Sequence, residues 1–354
     1  MYNNKQQANK MKSVIVTAPG TVEIQEIEMP VINPYQALVK TEMVALCNAT
    51  DSKLISGHFP GNDQFPMALG HENVGIVVEV GAKVRNFRVG DRVIGGLISS
   101  FTNPGLYSGW GGFSEYVVVN DFEVLKEEGL ATPEQGCWDS FEIQNAVSAD
   151  VQPEEAVISC TWREILGAFA DFRLAPGKKE MVFGAGPVGL SFVKLGKLFG
   201  LGQVDIVDML PEKLELARKM GADNCYTPAE VATPEFIAAV GRSYDTVIDA
   251  VGLPVIVNSA LPLIKMAGDI CVYGVMTKNP TLDMEQAPYN FNLIIHRWPT
   301  RPEEKRAMTT LAAWIREGRL SASDFISHRF RIEQINEALE AVKRNEVIKT
   351  ILTF

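Results

Sequence analysis

The run Gly184-Ala185-Gly186-Pro187-Val188-Gly189 constrains this chain more than any other feature, because of what flanks it. Glycine pairs alone say little, since they gather in turns of every kind. Here the G-x-G-x-x-G spacing follows the apolar stretch Met181–Phe183 and opens an apolar stretch of helical character, PVGLSFVKLGKLFG. The first glycine permits the tight turn, the second lets backbone approach a diphosphate, and the third lets helix close on strand. The diphosphate then faces the positive end of the helix dipole.

The stretches that follow keep alternating. QVDIV, PEKLELARKMG, DTVIDA, LPVIVNSALPLIK and DICVYG read as strand, helix, strand, helix, strand. That alternation predicts right-handed βαβ units and a doubly wound parallel sheet. Upstream, from Ser13 to about Val119, the chain reads instead as short β segments punctuated by glycine, the pattern of a barrel-like β unit. The class is α/β, with 161–295 as the dinucleotide domain and 1–160 as a β domain. Residues 296–354, ending in VIKTILTF, return to the β domain. Residues 1–10 read as a mobile tail, and Asp121–Asp150 lacks periodicity and reads as a long loop.

A chain of 354 residues is long enough for two cores. The formal charge of −10 excludes a general nucleic-acid binder, whose phosphate contacts need a basic surface. No apolar run approaches the ~20 residues of a membrane span, and the polar start lacks the apolar centre of a secretory signal. Five cysteines, odd in number and sparse, do not make a disulfide framework, so a reducing cytoplasm is expected.

Asp208 ends QVDIVD, 24 residues after Gly184. A carboxylate there accepts hydrogen bonds from both adenosine ribose hydroxyls and repels a 2′-phosphate, which favours NAD over NADP. The bland alternative is a cap for the following helix. Lys213 lies near the adenine side or is a solvated helix lysine. Gly252 and Val275 follow two later strands, where strand ends meet a nicotinamide in sheets of this kind.

Four residues carry metal-ligand chemistry: Cys47, His71, Glu72 and Cys160. Two thiolates and one imidazole suit a catalytic zinc, with the fourth tetrahedral position open to water or substrate. The alternative is two buried thiols and one packed histidine.

Gly70-His71-Glu72-x-x-Gly75, VGDRV at 89–93, GGFSEYV at 111–117, GAGPVG and the ending VIKTILTF resemble the zinc-dependent medium-chain dehydrogenases, over roughly residues 12–354. Alcohol, sorbitol, butanediol and threonine dehydrogenases belong to that group. The resemblance implies a GroES-like β domain plus a Rossmann domain, and one catalytic zinc on Cys47, His71 and Cys160. Glu72 becomes a neighbouring carboxylate or an occasional ligand. It also implies Thr50 as the hydroxyl that relays the substrate proton, Asp51 as a group behind the metal ligands, and Lys349 as a pyrophosphate contact.

Three departures matter. Cys47 and Thr50-Asp51 are one residue further apart than in the family. Lys53 stands where a relay histidine often does, so either His58 substitutes or the 2′-ribose hydroxyl passes the proton directly to water. The stretch from Val93 to Gly112 lacks the four cysteines of a structural zinc lobe.

The implied reaction is hydride transfer between a small-molecule alcohol and NAD, with the zinc lowering the hydroxyl pKa. A polyol or other secondary alcohol leads, and a threonine-type amino-alcohol is the alternative. Candidate pocket residues are His58, Phe59, Trp110, Trp162 and Trp298, with Asn48, Glu72 and Arg297 as polar readers. A non-catalytic dinucleotide binder on the same fold is the alternative of another class. The family implies a homodimer or homotetramer, with DICVYG as a suitable interface edge.

Overall fold

The computed structural model describes residues 10–276 and 278–354, which divide into two compact units. One comprises residues 1–160 and 312–354, the other 161–311. The chain's return thus falls inside a helix at 312, later than the expected 296. Of the tail expected at 1–10, residues 1–9 lie outside the described residues and Lys10 already belongs to the first strand.

The first unit opens with β1 (Lys10–Ala18), β2 (Thr21–Glu28), β3 (Gln36–Ala45) and the short helix α1 (Asn48–Ile55). Then follow β4 (Met67–Ala68), β5 (Asn73–Val80), β6 (Arg92–Ile94), β7 (Tyr107–Ser108) and β8 (Tyr116–Asn120). The segment expected as a long loop is organised. Asp121 caps α2 (Phe122–Glu127), two 3-10 turns follow, and β9 (Asn145–Ala146) pairs with β6. Gln144 ties it down, donating to the Gly95 and Val118 carbonyls while accepting from the Asn120 N–H. Buried amides of this kind hold a segment without leaving a hydrophobic period to read.

Helix α3 (Pro153–Asp171) carries the chain out of this unit. The second unit alternates β10 (Lys179–Phe183), α4 (Pro187–Phe199), β11 (Gln203–Val207), α5 (Pro211–Lys219) and β12 (Asn224–Tyr226). It continues through α6 (Pro228–Val231), α7 (Pro234–Val240), β13 (Tyr244–Asp249), α8 (Pro254–Ala260), β14 (Ile264–Val272), β15 (Asn292–Ile295) and α9 (Arg301–Arg316). The chain closes in the first unit with β16 (Ile326–Arg331), α10 (Ile335–Lys343) and β17 (Lys349–Thr353).

The six strands of the second unit are all parallel in the order β12-β11-β10-β13-β14-β15. The order reverses between β10 and β13, which makes that gap the switch point where ligands of open α/β sheets bind. DICVYG, expected as an interface edge, lies in the interior. Its strand β14 is flanked by β13 and β15, and β15 forms the edge. The short pairing partner was not visible as a period-2 pattern.

The first unit holds a four-stranded sheet, β2-β1-β4-β7, and a seven-stranded one, β16-β17-β3-β5-β6-β9 with β8 also on β3. No helix among the described residues is long and apolar enough to cross a membrane.

Candidate active site

Strand register assembles the site in the first unit. In the antiparallel pair β3–β5, Val44 lies opposite Asn73, so the residues just after β3 face those just before β5. Cys47 therefore meets His71 and Glu72, and the Ala45 N–H donates to the Glu72 carbonyl at 3.0 Å. The last strand, β17, runs antiparallel along the other side of β3 with Ile351 opposite Ala45. That brings Lys349 to the same end, where the Leu46 N–H donates to the Thr350 carbonyl at 2.9 Å. A buried cluster including Leu46, Leu54, Leu69, Phe113 and Leu352 lies in the same region. Each such side chain contributes roughly 1.5–3 kcal/mol when buried, so the site rests on a rigid base.

Gly70 is required by that packing. Its φ is +102°, and a Cβ there would lie 2.1 Å from the Phe113 ring. The turn that presents His71 closes only with glycine at this position.

The Cys47 sulfur, a ring nitrogen of His71 and a carboxylate oxygen of Glu72 all lie within 4.8 Å of one another. A soft thiolate, an imidazole and a carboxylate within one ion's reach suit zinc, so the residues fit the metal. The extra residue between Cys47 and Thr50-Asp51 is absorbed by α1, which starts directly after Cys47. One helical turn then puts Asp51 back over Cys47, whose N–H donates to Asp51 Oδ2 at 2.8 Å. Asp51 Oδ1 lies 3.5 Å from His71 Nδ1. A carboxylate behind a histidine fixes ring orientation and raises ligand basicity.

Burial alone would lower the His71 pKa, but the hydrogen bond to Cys47 and the charges of Asp51, Cys47 and Glu72 prevail and push it up to about 10. Burial pushes the Asp51 carboxyl up to about 6 against the pull of His71. Lys349 is buried, which lowers its pKa, but the charges of Glu72, Cys47 and Asp51 and the hydrogen bond to Glu72 together outweigh this and raise it. Its ammonium lies 2.8 and 2.6 Å from the two Glu72 oxygens. Lys349, expected on a pyrophosphate, is buried here as the partner of Glu72, a contact that no local pattern announced.

Cys160 stands outside the three-residue group. It lies in α3, buried, with its sulfur 3.7 Å from the carbonyl of Asn73, the residue after Glu72. Thr50 is half-buried in the first turn of α1. His58 is exposed and lies 3.1 Å from the Ser56 hydroxyl. Phe59 and Trp110 form an edge-to-face pair, and Trp110 also packs on the His71 ring. Trp162 is fully buried packing, and Trp298 lies on the surface with the Arg301 guanidinium over its ring. Asn48 donates to the Ile348 carbonyl.

In the second unit the strand ends line up. Phe183 pairs with Val207 and with Asp249, and Asp249 with Val272, so Gly184, Asp208, Gly252 and Val275 gather at one end of the sheet. Gly186 caps α4 with Pro187 at the first helical position, and the space where its Cβ would stand is open. Gly189 is the opposite case, since a Cβ there would lie 1.7 Å from the Gly184 carbonyl oxygen. One glycine leaves room for a ligand and the other allows the helix to close, with Val188 between them.

Asp208 Oδ2 accepts from the Ala185 N–H at 2.6 Å and Oδ1 from the Leu210 N–H at 3.0 Å. Each oxygen keeps a lone pair for a ribose hydroxyl. Helix α5 has no side-chain cap, so Asp208 is not its N-cap residue. Lys213 is half-buried in α5. Gly252 packs directly on Gly274 and Val275, and the buried Asp249 carboxylate accepts from three N–H groups of residues 251–253.

One chain carrying both a GroES-type β unit with a Cys-His-Glu group and a six-stranded parallel unit with a glycine-rich turn defines a metal-dependent dehydrogenase class. Residues 33–128 match the alcohol dehydrogenase GroES-like domain and residues 187–314 the zinc-binding dehydrogenase domain. The chain belongs to the zinc-binding medium-chain dehydrogenases, a family of alcohol and polyol dehydrogenase enzymes. A sorbitol dehydrogenase of Bombyx mori is 28% identical over 366 residues, covering 96% of this chain and 97% of that one. The (R,R)-butanediol dehydrogenase of Bacillus subtilis is 28% identical over 282 residues, covering 73% and 75%. An alcohol dehydrogenase of Escherichia coli solved with NADH shares the fold at a TM-score of 0.80, with 23% identity and coverage of 98% and 99%.

Proposed function

We propose that this protein transfers hydride between a secondary alcohol or polyol and NAD, using one catalytic zinc. The observation that carries the reading is the convergence of Cys47, His71 and Glu72 donor atoms within 4.8 Å. Cys47, His71 and Cys160 hold the metal. Glu72 is the weaker donor because both its oxygens lie against the Lys349 ammonium, whereas a Cys160 thiolate is a softer ligand better suited to zinc. Bound there, zinc supplies Lewis acidity that lowers the pKa of a substrate hydroxyl.

The chain's own residues do the rest. Thr50 takes the hydroxyl proton and passes it outward. Asp51 orients His71, and Lys349 balances the Glu72 charge, so Glu72 is not left as a buried carboxylate without a counter-charge. The open backbone at Gly186 and the α4 N-terminus receive the pyrophosphate. Asp208 takes the ribose diol and disfavours a 2′-phosphate, while Gly252 and Val275 flank the nicotinamide, the hydride acceptor.

We place the protein in a reducing cytoplasm, where thiols such as Cys47 stay reduced and able to ligate a metal. The open β15 edge, with Ile295 exposed on it, fits a homodimer or a homotetramer.

The test is a screen of simple secondary alcohols, diols, polyols and threonine with NAD and NADP on the zinc-loaded protein. NADH formation with secondary alcohols or polyols supports the reading. Turnover of threonine alone would make it an amino-alcohol dehydrogenase. NADH and zinc binding without turnover of any of these would make it a non-catalytic binder.

A further inference from the structure

Trp110 has a backbone that a bulky side chain rarely adopts. Its φ is +69°, in the left-handed region, although it is not glycine. The surroundings impose that conformation. The N–H groups of Gly109 and Gly111 both donate to the Ala68 carbonyl, Gly112 donates to Gly70, and Ile98 donates to Trp110 itself. A strained conformation so heavily over-determined marks a side chain that must be presented in one place.

That place is the face of a metal ligand. The indole lies edge-on to the His71 imidazole with centroids 5.2 Å apart, and Phe59 backs it at 5.4 Å. Burial shows which side of the group is open. Asp51, Glu72, Lys349 and Cys160 are buried, whereas Cys47, His71, Thr50 and Trp110 are only partly so. A substrate therefore reaches the ligands on the side where Trp110 stands.

We infer that Trp110 is a specificity-determining residue, an apolar wall beside His71 that accepts a short alkyl substituent on the carbinol carbon and disfavours a hydroxylated chain. The inference rests on the dehydrogenase reading above and narrows it from alcohols and polyols together to methyl- or ethyl-bearing secondary alcohols and vicinal diols. The indole has one N–H donor and is otherwise carbon, so most hydroxyls of a polyol chain pressed against it lose water without gaining a partner.

The variants follow from the backbone. Asparagine tolerates the left-handed region, so Trp110→Asn keeps the turn and replaces carbon with an amide. Trp110→Gly removes the wall and the strain together, and controls for folding. The measurement is the ratio of kcat/KM for butane-2,3-diol to that for sorbitol, with zinc and NAD. A second readout without turnover is the visible absorption of the cobalt(II)-loaded protein titrated with 2-methylpropan-2-ol, a tertiary alcohol with no hydride to give.

Wild type is expected to favour the diol, and Trp110→Asn to lower that ratio by about 10- to 100-fold. The same variant should weaken the tertiary alcohol's effect on the cobalt spectrum by a similar factor, with metal content unchanged. An unchanged ratio and titration in both variants would overturn the inference while leaving the dehydrogenase reading intact. Absence of turnover of every alcohol by wild type, with zinc and NADH bound, would instead overturn that reading.

Discussion

Lys349 and Glu72, 277 residues apart, form a buried ion pair at 2.6 Å behind Cys47 and His71. The last strand of the chain is thereby part of the site rather than a closing element alone. Replacing Lys349 with methionine leaves a buried carboxylate without its counter-charge. We expect a loss of about 3–5 kcal/mol in unfolding free energy, read by urea titration. A change below about 1 kcal/mol would mean that solvent already screens the pair.

Asp51 holds both the Cys47 N–H and the His71 ring from the first turn of α1. Asp51→Asn keeps the shape and removes the charge. Zinc affinity, measured against a competing chelator, should fall by about 10- to 100-fold. Equal affinity would deny Asp51 any part in orienting His71.

Asp208 joins the glycine-rich turn to the end of β11 through the Ala185 N–H. Asp208→Asn removes the charge that repels a 2′-phosphate. The ratio of NADPH to NADH dissociation constants, from nucleotide fluorescence, should shift towards NADPH by at least about tenfold, or ~1.4 kcal/mol. An unchanged ratio would put nucleotide choice elsewhere.

Glu180 lies on β10 with no exposed surface, and burial pushes its carboxyl up to about 8 from the ordinary 4.5. Below pH 4.5 both folded and unfolded chains hold the proton. As pH rises from there to about 8 the unfolded chain releases it first, so stability falls by up to about 1.4 kcal/mol per pH unit. Glu180→Gln mimics the protonated acid and should flatten that slope in denaturant titrations at pH 6, 7 and 8. Parallel slopes for the two proteins would show that Glu180 is ionised in the fold.

The glycine-rich turn was legible because its constraints are local. Gly189 touches Gly184 and Gly186 caps its own helix, all within six residues. The GHE turn was legible for the same reason. What escaped was set by distant partners. Helix α1 fills the lengthened Cys47–Asp51 step in a stretch with little amphipathic pattern, and α3 is apolar on much of its surface, so neither shows a clear 3.6 period. The Lys349–Glu72 pair depends on β17 entering the sheet beside β3, which no window of sequence records. Trp110 was legible only as one of several candidate pocket aromatics, and nothing before its φ separated it from Trp162 and Trp298.

The most direct test of the metal assignment is the zinc content of wild type and Cys160→Ala after dialysis against a chelator. The account predicts about one zinc per wild-type chain, as a single site open at its fourth position requires, and loss of most of it in the variant. Full retention of zinc by Cys160→Ala would contradict the assignment and leave the metal to Cys47, His71 and Glu72.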